Sequence, residues 1–180
     1  MLRGIGGRIG MLLRYILLKS ITKRCGDNVS VHQYVFLLNP ENLELGSNIS
    51  IHPFCYIDAV GGIVIGDDVS IAHASTVMSS EHNYTRMDQP IKDQGVRLAK
   101  TNFSSDVWVG AGVRVLAGAS IGQGVVLAAG FTTSLAPTTR TTSVCGKVGL
   151  ISSISTNCSY GTFASASKTF ICPGIRPATG

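Results

Sequence analysis

The residues of this chain best suited to proton chemistry lie together in one polar stretch. Between residues 79 and 102 the sequence SSEHNYTRMDQPIKDQGVRLAKTN carries His82, Tyr84, Arg86, Asp88 and Lys92. An imidazole with its ordinary pKa near ~6.5 is the usual general base at neutral pH, so His82 is the first candidate for taking a proton from a substrate. A lone loop histidine is also commonly a solvated residue with no chemical role, and the residue alone leaves both readings open. His32, His52 and His73 raise the separate question of a metal.

The flanking sequence says what must hold such a loop. Aliphatic residues recur at six-residue intervals as Leu45, Ile51 and Ile57, step by two extra residues at Gly61-Gly62, and resume as Ile65, Ile71 and Val77. After the loop they return as Phe103, Val109, Val115, Ile121 and Leu127, and a weaker run precedes them at Cys25, Val31 and Leu37. Side chains of an extended chain alternate between faces, so a six-residue period is met by one short strand plus a turn. Three such units make a triangular coil, and coils stack with equivalent residues about 18 positions apart. One coil cannot bury its aliphatic ladder, but five or six stacked coils over 25–133 can. Glycine, asparagine and aspartate at the turns suit corners that need positive φ. An antiparallel sandwich of short strands is the alternative, but it demands no fixed six-residue phase.

The same phase bears on the metal. Three histidines around an ion would resemble the γ-type carbonic anhydrases, a different enzyme class built on a similar repeat. Allowing for the step at Gly61-Gly62, however, the stacking equivalent of His52 is Ala72, so His52 and His73 do not converge and no metal is expected.

The composition suits one domain with a continuous buried ladder: 180 residues, 44% hydrophobic and only 14% charged. The five cysteines show neither paired nor zinc-type spacing, which points to reduced thiols and a cytoplasmic protein. The net charge of +5 is uneven, with no acidic residue before Asp27 and none after Asp106. Residues 1–24 are basic with Met11, Leu12, Tyr15, Ile16 and Leu18 at partly helical spacing. The apolar run is broken by Arg14 and is too short to span a bilayer. It fits a cap over the first coil's edge, or a helix leaning on anionic lipid. Basic residues are not interleaved with aromatics, so no nucleic-acid partner is expected.

Three motifs together carry a resemblance: the run Ile65-Gly66-Asp67-Asp68-Val69-Ser70-Ile71-Ala72-His73, the segment Ser79-Ser80-Glu81-His82-Asn83-Tyr84 with Pro90-Ile91, and Asp106-Val107-Trp108-Val109-Gly110-Ala111-Gly112. Over roughly residues 25–130 the chain resembles the hexapeptide-repeat acyltransferases, and most of all their galactoside, maltose and colanic acid O-acetyltransferase branch. The resemblance implies an all-β fold, a left-handed parallel β-helix, assembled as a homotrimer with the active site between subunits. Left-handedness comes from the resemblance alone, since the general rule for parallel crossovers favours the right hand.

The resemblance also implies roles. His82 would be the base that deprotonates an acceptor hydroxyl as it attacks the thioester of acetyl-CoA, and the backbone N–H of Ala111 would hold the oxyanion. Trp108 would line the acetyl-CoA cleft, or else cover a sheet face. Gly110, Gly112, Ala129 and Gly130 would let the pantetheine arm lie close, with Gly112 read first as a corner glycine. Asp58, Asn83 and Tyr84 are candidates for holding a sugar acceptor, Asp58 being equally a turn residue. Glu81, Asp88 or a backbone carbonyl would orient the imidazole. The acceptor class implied is a sugar in surface polysaccharide or lipopolysaccharide assembly, and the N-terminal helix is a candidate for peripheral contact with the inner face of the membrane.

Residues 134–180 depart from the family pattern. They are rich in serine and threonine and lack the expected lysine near 134, while Val144-Cys145-Gly146-Lys147 matches the later motif only faintly. This composition is closer to a flexible segment than to a folded cap, and it gives weight to a non-catalytic scaffold that kept the repeat.

Overall fold

The computed structural model describes residues 4–133, and the serine- and threonine-rich segment 134–180 lies outside the described residues. Among the described residues a single α-helix, Gly7–Ile21, leads into a solenoid of short parallel strands. Three five-stranded sheets form its faces. The first face stacks Arg24–Cys25, Leu43–Leu45, Ile63–Ile65, Thr101–Phe103 and Ser120–Ile121; the second begins at Val29–Val31 and ends at Val126–Leu127; the third begins at Phe36–Leu38 and ends at Thr132–Thr133. Each coil therefore contributes one strand to each face, and five coils are stacked. The expected parallel solenoid is what forms.

The inward residues are the ones the six-residue period selects. Cys25, Leu45, Ile65, Phe103 and Ile121 lie in register on the first face, and Val31, Ile51, Ile71, Val109 and Leu127 on the second. Most are fully buried, and burial of each Leu, Ile or Val stabilises the stack by roughly 1.5–3 kcal/mol. The spacing differs from the expected 18 in the early coils. Leu45 pairs with Ile65, twenty positions on, whereas Phe103 pairs with Ile121 at 18. The reason lies at the corner between the third and first faces. In the first coil a 3-10 turn, Pro40–Asn42, lengthens that corner; in the second Gly61-Gly62 does, with Gly62 at φ 93° and its N–H bonded to the Ala59 carbonyl at 2.8 Å.

The other two corners are regular. Between the first and second faces, Asn28, Asn48, Asp68 and Asp106 all take φ between 55° and 59°, and Gly124 takes 71°. Asn and Asp tolerate that left-handed region because their short side chains bond locally. Here they also bond along the stack, Asn28 Nδ2 to Asn48 Oδ1 and Asn48 Nδ2 to Asp68 Oδ1, each at 3.0 Å. Between the second and third faces the column is Tyr34, Phe54, Ala74, Gly112 and Gly130, all with φ from 58° to 73°.

Candidate active site

All three lengthened turns occupy the same corner, and the loop carrying His82 is the longest of them. Its root is built tightly. Ser79 is fully buried; its hydroxyl donates to the Asp58 carbonyl at 2.7 Å and accepts from the Gly61 N–H at 2.8 Å. The Ser79 carbonyl accepts from Ala99 N–H at 2.9 Å, so the outgoing and returning strands close on each other. Gly61 makes this possible: a Cβ there would stand 2.2 Å from the Ser79 carbonyl oxygen. The glycine step, legible in sequence only as a break in phase, is the seat of the loop. Neither Gly61 nor Ser79 was among the expected site residues.

Beyond the root, Ser80–His82 pairs antiparallel with Val96–Leu98, His82 opposite Val96. Asn83 closes this hairpin, with its N–H on the Gly95 carbonyl at 3.1 Å and its Nδ2 on the Gln94 carbonyl at 3.2 Å. Gln94 in turn donates to the Arg86 carbonyl at 2.7 Å and accepts the Arg86 N–H at 3.0 Å. The hairpin is thus internally clasped, and it carries His82 and Tyr84 exposed to solvent.

The expected orienting carboxylates are engaged elsewhere. Alternation along the strand turns Glu81 to the face opposite His82, where it pairs with Arg97 across the hairpin. Asp88 is held by Arg86, whose Nε donates at 3.0 Å and whose hydrogen bond holds the Asp88 carboxyl below its ordinary pKa. Asp58 faces outward beneath the loop root, and its Oδ1 accepts the Val60 N–H at 3.2 Å, the bond of a turn residue.

The residues expected around a cofactor lie on other parts of the solenoid. Trp108 points outward from the second face, 53% exposed, between Ser70 and Val126 of the adjacent coils. Gly110, Ala111 and Gly112 form the corner after it, and Ala128, Ala129 and Gly130 the same corner one coil on. Gly110 has a packing reason: a Cβ would stand 2.6 Å from the Ala129 nitrogen. Gly112 and Gly130 have none, since nothing lies within 4 Å of the Cβ either would carry. The Gly110 N–H bonds Leu127 O at 2.8 Å and the Gly112 N–H bonds His73 O at 3.0 Å. Between them, the Ala111 N–H donates to no backbone carbonyl among the described residues. That last bond also puts His73, an exposed imidazole, one coil beneath this corner.

The register also settles the histidine phase. Ile51 lies opposite Ile71, so Ala72 is the coil equivalent of His52, and His52 stacks instead on His32 with ring centroids 5.0 Å apart. Among the described residues no group of three His, Cys, Asp or Glu side chains is arranged to hold a metal ion. Nor is any described helix long and apolar enough to cross a membrane.

No protein-family model matches the sequence, and no curated protein does. Solved structures do match the fold. A hexapeptide-repeat-containing acetyltransferase of Vibrio cholerae, complexed with acetyl coenzyme A, is similar with a TM-score of 0.63 and 21% identity over 68% of this chain and 66% of that one. AntD, an N-acyltransferase of Bacillus cereus in complex with dTDP and 3-hydroxybutyryl-CoA, is similar with a TM-score of 0.54 and 18% identity over 67% and 77%. A variant of AntD in complex with dTDP-4-amino-4,6-dideoxyglucose and coenzyme A gives 0.51 and 20% over 67% and 78%. At these identities the likeness is one of fold, and the chain shares with these acyltransferases the hexapeptide-repeat β-solenoid.

Proposed function

We propose that this chain is an acetyl-CoA-dependent O-acetyltransferase acting in the cytoplasm on a sugar hydroxyl, in the modification of surface polysaccharide or lipopolysaccharide. The observation that carries the reading is the exposed imidazole of His82 on a clasped hairpin, rooted in a buried serine, in a fold shared with acyltransferases whose structures hold coenzyme A. Its motifs liken it most to the galactoside, maltose and colanic acid O-acetyltransferase branch.

In this mechanism His82 accepts the proton of the acceptor hydroxyl as the oxygen attacks the thioester carbonyl. The Ala111 N–H stabilises the tetrahedral oxyanion, and collapse expels the thiolate of coenzyme A, which is protonated by the imidazolium. Acetyl-CoA, when bound, supplies the activated acyl group; Trp108, Ala129 and Gly130 flank its arm, with Gly112 leaving the corner open and Gly110 serving to pack it. Asp58, Asn83 and Tyr84 hold the sugar.

The halves of this site lie on different corners of one chain. His82 leaves from the corner between the third and first faces, whereas Ala111 is at the corner between the second and third. The intervening strand run is about five extended residues, on the order of 15 Å. Base and oxyanion donor must meet around one carbon at near-contact distance. In the homotrimer this reading entails, with the site between subunits, a second copy supplies the other half and brings both corners together.

The test is acetyl-CoA binding by calorimetry, followed by thiol release with a panel of sugars that includes an amino sugar. His82→Ala is expected to bind acetyl-CoA normally and to lose about 10²- to 10⁴-fold in turnover. His73→Ala, altered at the cofactor corner, is expected to retain turnover. The converse result would move the base to His73, and release only with the amino sugar would make nitrogen the acceptor. No binding at all would leave a scaffold that has lost its cofactor site.

A further inference from the structure

We propose that the N-terminal helix seats the solenoid on an anionic membrane surface. The helix Gly7–Ile21 lies on the first coil with Gly10, Arg14 and Leu18 buried against it. At 3.6 residues per turn these form one stripe, and the opposite stripe carries Ile9, Leu12 and Ile16, which are 72%, 58% and 59% exposed, with Leu13 and Leu17 beside them. This reverses the usual polarity of a capping helix, which buries its apolar stripe and turns its charges to water. Here one of the helix's three cations is inside: Arg14 Nε donates to the Val31 carbonyl at 2.7 Å and an Arg14 η-nitrogen to the Ile5 carbonyl at 2.8 Å.

The orientation is fixed at the helix's other end. The Tyr15 hydroxyl donates to the Gly26 carbonyl at 3.3 Å and to Asp27 at 3.2 Å, and Lys19 pairs with Asp27 at 2.8 Å. Turning the aliphatic stripe inward would break these contacts and take the Arg14 guanidinium away from the Val31 and Ile5 carbonyls. The helix therefore covers the first coil's edge with one stripe and offers the other outward. The cap and the lipid-facing helix are two faces of one element.

Charge identifies the occupant. The first 26 residues hold Arg3, Arg8, Arg14, Lys19, Lys23 and Arg24 and no acidic residue. Arg8 falls on one edge of the outward stripe, beside Lys19, which is held by Asp27, and Arg24 follows the helix end next to Lys23, which pairs with Glu44 at 2.9 Å. An apolar stripe edged by cations, on a helix that does not cross the bilayer, is the chemistry of an interfacial helix on anionic headgroups. A second copy using the same face would set cation against cation.

The experiment is co-sedimentation of the full chain with phosphatidylcholine vesicles, with and without phosphatidylglycerol. Binding is expected with phosphatidylglycerol, to weaken as ionic strength rises, and to fall by about tenfold or more in the double variant Ile9→Glu/Ile16→Glu. Arg8→Glu, which leaves every aliphatic residue in place, is expected to weaken it several-fold. Thermal unfolding of both variants should match the parent chain, because the altered side chains face away from the solenoid. Absence of binding to the anionic vesicles, or binding indifferent to both variants, overturns the proposal. So does dissociation of an oligomer by the double variant without vesicles, which would give the face to a second copy.

Discussion

At the corner between the second and third faces, the first two coils carry His32, Tyr34, His52 and Phe54, whereas the last two carry Gly110, Gly112, Ala128 and Gly130. The backbone is the same throughout, with φ of 59° and 63° at Tyr34 and Phe54 against 68° and 73° at Gly112 and Gly130. The early end fills the corner with rings, Tyr34 stacking on Phe54 at 5.4 Å and His32 on His52. The late end leaves it bare. Left-handed geometry therefore does not by itself explain the glycines, since the same fold meets it elsewhere with tyrosine and phenylalanine. Open space above Gly112 and Gly130 is what a cofactor arm lying against the corner needs.

The sharpest way to break this comparison is to make the fourth coil resemble the second. Gly112→Phe should fold, because the position is open and the conformation costs only about 1–2 kcal/mol for a residue with a Cβ. On the proposed function it should weaken acetyl-CoA binding by about a hundredfold, because a ring there occupies the cofactor's path. Unchanged affinity by calorimetry would remove this corner from the site.

Gly110 should behave in the opposite way. Its Cβ direction is filled by the backbone of the next coil, with the Leu127 carbonyl oxygen 2.8 Å away as well as the Ala129 nitrogen. Gly110→Ala should cost stability of about 1–3 kcal/mol through forced separation of the last two coils. Denaturant unfolding reads this directly, and an unchanged midpoint would mean that the coils part more easily than their hydrogen bonds suggest.

These two glycines also show what the sequence can and cannot tell. Six-residue phase identifies the inward ladder because burial on a stacked face leaves no freedom in which residue points in. It also found the register of His52 against Ala72, since the step at Gly61-Gly62 was visible. The reading of the glycines was not available, because one letter stands for two physical needs. Gly110 avoids a collision with a neighbour 17 to 19 positions on, and only the stacked coil reveals it. Ser79 was missed for a similar reason: a serine at the start of a polar loop reads as solvated until its hydroxyl is found closing the root. Glu81 as a partner for His82 fails on strand alternation, which required knowing that the loop begins as a hairpin. His82 itself stood out because the repeat around it is otherwise so regular.

The ring-filled end makes a smaller and pH-dependent prediction. Burial pushes the His32 imidazole below its ordinary pKa, and the neighbouring His52 and then Arg14 lower it further. A folded-state value below the unfolded one means that, as pH falls through the ordinary value near ~6.5, the unfolded chain takes up a proton that the folded chain resists. Stability attributable to this site is thus fully present above that value and declines as pH falls toward the depressed folded value. Below it, His32 protonates in place and sets a cation against His52 in the stack. His32→Gln should be close to neutral in thermal unfolding near pH 8 and should flatten the loss of stability on acidification. If the variant and the parent chain lose stability in parallel between about pH 7 and pH 5, the stack is solvated enough to accept the charge, and the early end of this corner is held by Tyr34 and Phe54 rather than by the histidine pair.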